Sequence, residues 1–380
     1  MNREKTRKWG APAMLFLALV PIIALIGCAS FEGEIPIEEQ WPEVVYISPL
    51  NQDGIQDEVR LSFTLPEMDN LHVAGYKIAI TSESGKEIYS EGVDRTEDTQ
   101  SKRPRAKKEA IPVPQQIVWN GKNAAGGWVP DGTYTLTVSA WDDNNNRGEA
   151  SPMKIVVDNT PPVLQVSLPY SVFSPNGDSS QDVLQIYQTM SSSEELWEGV
   201  FYDSAGTKIR QYSWKKLAAP FQWDGKNDAG DLLGDGEFSY VISSTDAAGN
   251  TAQKIVEGIR IDTRIYPISI APEFDAFSPN GDGVKDAIRF ILYTENTEDI
   301  VEGSVSIIDT AGNIVREVAA NRELLSSYLF DGKNTDGKVL PDGDYFARLT
   351  VKFKNGDSPE VLSDPVVLDI TPPSAVLSSD

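Results

Sequence analysis

Phe277-Ser278-Pro279-Asn280-Gly281-Asp282-Gly283-Val284-Lys285-Asp286 decides how this chain is read. Its last seven residues recur as Asn176-Gly177-Asp178-Ser179-Ser180-Gln181-Asp182 and as Asn51-Gln52-Asp53-Gly54-Ile55-Gln56-Asp57. The same three landmarks follow each copy: an aromatic residue opening a turn that ends Gly-Lys-Asn (Trp119, Trp223, Phe330), an Asp-Gly pair before an apolar run (Asp131, Asp235, Asp342) and a closing Asp (Asp158, Asp262, Asp369). A period of roughly 100 residues is that of a small domain and excludes a short solenoid repeat.

Within each repeat the periodicity is that of strands. Ile288, Phe290 and Leu292 alternate with Arg289, Ile291 and Tyr293, and Tyr345, Ala347, Leu349, Val351 and Phe353 form a second alternating run. Turn signals separate the runs: Asp203-Ser204-Ala205-Gly206-Thr207 and Asp309-Thr310-Ala311-Gly312-Asn313 between early strands, and Asp142 to Gly148, Asp246 to Asn250 and Asn355 to Asp357 between late ones. About seven short strands per hundred residues, without an amphipathic helix, predict an all-β chain. The expected fold is three tandem Ig-like or fibronectin III-like antiparallel β-sandwiches over residues 42–160, 161–265 and 266–371. Residues 372–380 resemble the start of a further repeat, since Asp369-Ile370-Thr371-Pro372-Pro373 matches Asp158-Asn159-Thr160-Pro161-Pro162.

Residues 1–27 read as an address. Arg3, Lys5, Arg7 and Lys8 precede the apolar run Met14 to Ile26, which is interrupted by Pro21 and is shorter than a spanning helix requires. The run ends at Leu25-Ile26-Gly27-Cys28, which resembles the bacterial lipoprotein signal. That resemblance implies cleavage before Cys28, lipid on its sulfur and an acidic tether over residues 28–41. Ala29 and Ser30 lack the Asp that retains enteric lipoproteins in the inner membrane, which favours the outer membrane. Cys28 is the only cysteine, so no disulfide closes within one molecule.

The formal net charge is −24, and removing the leader makes it more negative. Such a surface repels nucleic acid and excludes it as a partner. One stretch runs against the trend. The first repeat carries extra residues near 94–114, including Lys102, Arg103, Arg105, Lys107 and Lys108. This run reads either as a solvated loop or as a contact for an anionic glycan or an acidic protein surface.

The seven-residue loops admit two readings. Asn280, Asp282 and Asp286 with the Val284 carbonyl, Asn176, Asp178 and Asp182 with Ser180, and Asn51, Asp53 and Asp57 with Ile55 have the spacing of a loop that wraps Ca²⁺, without the downstream bidentate Glu of an EF-hand. The alternative is an Asx-stabilised turn whose carboxylates accept backbone N–H groups. If the metal reading holds, the third loop should bind best.

The segment from Phe277 to Asp286, with the Gly-Lys-Asn, Pro-Asp-Gly and Ala-Gly-Asn elements after it, resembles the flagellar hook-cap (FlgD-type) Ig-like domain. The resemblance covers the three repeats, is strongest in the third, and implies an Ig-like sandwich in an envelope protein without catalytic residues. On the residues themselves an enzyme is also hard to build: His72 is the sole histidine, and neither a nucleophile elbow nor a phosphate loop occurs. The expectation is a non-enzymatic, membrane-tethered scaffold or stalk with a protein or glycan partner, the alternative being a surface adhesin. Trp119, Trp223 and Phe330 read as core residues, and Trp128, Trp197 and Trp214 as candidates for a partner patch.

Overall fold

The computed structural model describes residues 35–39, 41–64, 73–95, 111–142, 146–321 and 324–374, and every regular element among them is a β-strand. The leader, Cys28, His72 and the basic run from Lys102 to Lys108 lie outside the described residues. No helix among those described is long and apolar enough to cross a membrane.

Each repeat builds two sheets over one apolar core. In the second, Gln165–Ser167, Leu184–Thr189 and Phe221–Trp223 form a three-stranded sheet. Opposite it lie Val172–Phe173, Thr251–Ile261, Gly236–Thr245, Glu194–Asp203 and Lys208–Lys216, in that order. The first and third repeats keep this order and add a short strand, Arg147–Glu149 or Glu360–Leu362, beside the long central strand. Alternation decides what goes inward. Along Gly132–Asp142 the side chains of Tyr134, Leu136, Val138 and Ala140 are buried, while their neighbours are only partly covered.

Three apolar clusters, one per repeat, confirm the tandem arrangement. Trp119, Trp223 and Phe330 are buried in them as expected, with Trp223 stacked on Phe201 at 4.0 Å between ring centroids. Trp197 does not mark a surface patch. It is buried on the inner face of Glu194–Asp203, and its indole N–H donates to the Ser192 carbonyl at 3.2 Å. Trp214 is half-buried against Tyr212 and Phe221, and Trp128 lies under the Lys122 ammonium.

Two details add to the expected architecture. The sandwiches are not wholly antiparallel: Val44–Ile47 runs parallel to Met153–Val157, Val172–Phe173 to Thr251–Ile261, and Ala276–Phe277 to Val366–Leu368. The cause is a split opening strand, whose first part pairs in the three-stranded sheet and whose second part crosses to the edge of the other. Nor is the whole of 28–41 a free tether. Ile35 is buried and its N–H donates to the Arg147 carbonyl at 3.1 Å, Glu38–Glu39 pairs with Thr64 and Phe63, and Ile37 and Trp41 pack on the first core. Apolar side chains at 35, 37 and 41 draw this segment onto the sandwich.

The parallel pairing places two features at opposite poles of each module. The seven-residue loop follows the opening strand and sits where the closing strand leaves. There the N–H groups of Asp158, Asp262 and Asp369 donate to the carbonyls of Ile47, Phe173 and Phe277 at 2.9, 3.0 and 3.2 Å. The late hairpin turn lies at the other pole, where the chain enters. A loop at the exit of one module therefore faces the late turn of the next.

Candidate functional site: the joint between repeats

All three loops share one frame. The N–H groups of Ser48, Ser174 and Ser278 donate to the carbonyls of the sixth loop residues, Gln56, Gln181 and Lys285, at 2.9, 3.0 and 2.9 Å. Those residues take left-handed φ values of 54°, 51° and 51°, each costing about 1 kcal/mol for a side chain other than Gly. The proline ahead of each loop packs on the Gly of the Gly-Lys-Asn turn: a Cβ on Gly121, Gly225 or Gly332 would stand 2.7, 3.1 or 2.7 Å from the ring Cγ of Pro49, Pro175 or Pro279. Two motifs far apart in sequence are thus a single contact.

The loop oxygens are turned toward backbone N–H groups. In the third loop, Asn280 Oδ1 accepts from Asp282 N at 2.9 Å, Asp282 Oδ1 from Val284 N at 2.8 Å, and the two Asp286 oxygens from Gly281 N and Gly283 N at 2.7 and 2.8 Å. The last two bonds hold the Asp286 carboxyl below the usual carboxylate range. Asn176, Asp178 and Asp182 repeat the pattern, with Ser180 supplying an N–H to Asp178. Asn51, Asp53 and Asp57 do so less completely. Ile55 N bonds Asp53 and Gly54 N bonds Asp57, but Asp57 Oδ1 is buried without a partner, Gln52 standing where the other loops have Gly. Arranged this way, the donors saturate carboxylates with N–H groups rather than converge on a cation, and no cluster of three or more His, Cys, Asp or Glu suited to a metal occurs among the described residues. The second and third loops have every side-chain oxygen of these residues bonded, and among the three loops only the first leaves one, Asp57 Oδ1, without a partner.

What the loops do hold is the next module. At the first joint, Ser48 Oγ donates to Ala248 O at 2.7 Å, and Gln56 Nε2 donates both to Tyr46 O in its own module and to Ala247 O across the joint, each at 3.0 Å. Asn250 Nδ2 returns a bond to Asp158 O at 2.8 Å, and Asn51 Nδ2 reaches Asn250 Oδ1 at 3.3 Å. The second joint is built alike. Ser180 Oγ donates to Gly356 O at 2.7 Å, and Gln181 Nε2 to Val172 O and Lys354 O, each at 2.8 Å. Here Asn355, two positions earlier in its turn than Asn250, satisfies the linker by donating to Asp262 O and Arg264 O at 3.1 and 3.0 Å. Ser48, Ala248, Asn250 and Asn355 are all at most 2% exposed, so their contacts are buried, whereas the Gln56 and Gln181 amides cross at the exposed edge of the joint.

Glycine makes the approach possible. Gly249 and Gly356 have φ of 90° and 95°, and a Cβ on either would come within 3.0 Å of Gln56 Oε1 or 2.8 Å of Ser180 Oγ. The Asp of each Asp-Gly pair sets the linker direction. Asp131 accepts from Asn159 N and Thr160 Oγ1, Asp235 from Thr263 N and Oγ1, and Asp342 from Ile370 N and the Thr371 hydroxyl.

The second joint adds charge. Arg260 Nη2 lies 2.7 Å from Asp299 Oδ2 across the boundary, and Lys354 Nζ lies 3.1 Å from Asp299 Oδ1. Burial pushes the Asp299 carboxyl up, but the Asn296 amide and the Arg260 and Lys354 cations outweigh it and bring it down to about 2. Asp262 is likewise pushed up by burial yet held below its usual range by Arg264 and the Tyr266 hydroxyl. None of Ser48, Gln56, Gln181, Asn250, Arg260 or Asp299 was singled out from the sequence. The available signal was a polar residue at position six of every loop, beside a Gly in the late turns of the second and third repeats.

A C5a peptidase of Streptococcus pyogenes is 27% identical over 124 residues, 28% of this chain, and the chain spans about a tenth of that protein's length. A solved bacterial ice-binding adhesin is 11% identical, with 89% of this chain and 99% of that chain covered and a TM-score of 0.32. A Ca²⁺-stabilized adhesin of an Antarctic bacterium that binds ice is 15% identical over 89% of this chain and 74% of that one, with a TM-score of 0.30. Two family models match: that of the FlgD Ig-like domain over residues 176–248, in the second repeat, and that of the CHU_C Type IX secretion signal domain over residues 271–361, in the third.

Proposed function

We propose that the chain is a non-enzymatic scaffold of the bacterial envelope, a lipid-anchored rod in which Ig-like modules are locked in series. The observation that carries this reading is the joint, built twice from the same loop and turn, with loop side chains donating to the turn and a turn Asn donating back to the linker. Modules on flexible linkers have no use for buried Asn and Ser side chains at their boundaries. Export is supported by the match to a secretion-signal family and by the leader, and anchoring by Cys28 at the leader's exit. The basic run supplies a contact for an anionic partner. Its flanks are fixed at the entry pole of the first module, where Arg95 N and Ile111 N donate to Ala74 O and Val73 O at 3.0 and 3.3 Å.

A surface adhesin is the second reading, favoured by one departure from the repeat. The outer face of the third module's small sheet exposes Ile291, Tyr293 and Leu329, where the paired strands of the second carry Tyr187, Thr189 and Gln222. Calcium would act here only as a stiffener, and binding it requires the loop carboxylates to rotate off their N–H partners.

Solution X-ray scattering on the chain without its leader tests the rod. The expected result is one extended conformation, which the double variant Gly249→Val, Gly356→Val broadens into an ensemble. A native chain as flexible as the variant rules the reading out. Anchoring is tested by membrane fractionation of Cys28→Ser, which should move to the soluble fraction.

A further inference from the structure

We infer that the third loop and the exit segment behind it form a docking socket for another Ig-like domain, whose late hairpin turn carries Gly at the fourth of its five positions. This rests on the jointed reading above and names the partner such a rod accepts at its third module.

The socket is seen filled twice, so its occupant is known by example. Both occupants are late turns closed by an N–H to carbonyl bond from first to fifth residue, Asp246 to Asn250 and Phe353 to Asp357. Each presents the carbonyl of its second residue, Ala247 or Lys354, to the sixth residue of the loop, and each has Gly fourth. The third loop repeats the backbone frame, with Ser278 N on Lys285 O, Pro279 against Gly332, and Asp342 holding Ile370 and Thr371 at the exit. No turn is seated on it among the described residues. An open depression lies there instead, lined by Phe277, Asn280, Val284, Lys285, Asp369 and Ile370. Asp262, at the filled exit, is 1% exposed, whereas Asp369 is exposed.

Lys285 stands in the place of Gln56 and Gln181 with the same φ, and its ammonium lies 4.8 Å from the Phe274 ring centroid. An ammonium donates and cannot accept, which suits the carbonyl that a seated turn offers at this point. A second copy of the chain is disfavoured as occupant. In sequence, its first module has Asn145 at the place of Gly249 and Gly356 in the seated turns, where a Cβ would crowd the socket.

The test extends the full chain, carrying Cys28→Ser, after Pro373 with a second copy of its own residues Val163 to Arg264, a segment that contains the whole core of the second module. The junction then reads as the natural one after Pro162 does. Lys285→Cys is paired with Ala247→Cys in the appended copy and treated with a short bismaleimide. The expected result is an internal crosslink in most molecules, reduced at least tenfold when the appended copy also carries Gly249→Val, with circular dichroism unchanged. A separate protein with Gln56→Cys and Ala247→Cys at the native first joint serves as reference. If the reference crosslinks and the appended pair does not, the socket proposal alone is overturned; if neither does, the jointed rod falls with it. Equal crosslinking by the Gly249→Val copy also overturns the proposal, as does an intermolecular product between unextended Lys285→Cys and Asp143→Cys chains.

Discussion

Replacing Asn355 by Ala should open the second joint without unfolding the modules beside it. The side chain is 1% exposed and makes three bonds: two N–H donations to the linker carbonyls of Asp262 and Arg264, and one accepted from Asp357 N within its own turn. At about 1 kcal/mol net for each bond across the joint, local opening becomes easier by about 2 kcal/mol. The linker supplies its own reporter, since Arg264 with an exposed Ile265 after it is a tryptic site that the joint holds closed. When cleavage follows the open population, about 2 kcal/mol corresponds to a roughly 30-fold faster nick at Arg264–Ile265. Mass spectrometry identifies that nick among other tryptic sites. Asn355→Asp, which keeps the acceptor but loses both donors and turns a carboxylate toward two carbonyls, should be nicked faster still. A change of less than threefold in both variants would falsify the claim that these bonds hold the modules together.

Further outcomes follow from the same geometry. Asp299 has its carboxyl lowered to about 2, so its contribution is complete above the unfolded carboxylate pKa near 4 and is lost as pH falls toward 2; melting between pH 5 and pH 2 should show a steeper loss for the native chain than for Asp299→Asn. Adding 1 mM Ca²⁺ should raise Tm by less than about 1 °C, because a site with a Kd of about 10 μM would add about 2.7 kcal/mol and several degrees; a larger shift refutes the turn reading of the loops. Trp223→Ala removes a fully buried ring stacked on Phe201 and should cost about 3 to 5 kcal/mol in urea unfolding. The result to look for is loss of the second module's transition while the third, with its own core, retains one.

The sequence carried the sandwiches clearly, because alternation and turn chemistry are local signals repeated three times. Tyr134, Leu136 and Val138 point inward for the same reason as Tyr345, Ala347 and Leu349. Ile35 and Ile37 were hidden by the acidic residues around them, which read as a tether until the sheet edge that receives Glu38–Glu39 was visible. The joint was out of reach for a different reason. Ser48 and Ala248 are 200 residues apart, and no local pattern shows that a loop at the exit of one module meets a turn at the entry of the next. The Asn and Asp spacing of the loops drew attention to their side-chain oxygens, whereas the residue that reaches outward is the sixth, Gln56 or Gln181, aimed by a left-handed backbone that its type does not announce.

The parallel pairing at each module's edge has a mechanical consequence. The opening strand enters alongside the strand by which the chain departs, as Val44 to Ile47 does beside Lys154 to Val157, and both run the same way. Tension applied through the two termini of a module therefore pulls these neighbours past each other along their length. Their hydrogen bonds lie across the load and share it together, instead of parting one at a time from an end. A chain of such modules resists stretching at the place where it would otherwise begin to unravel.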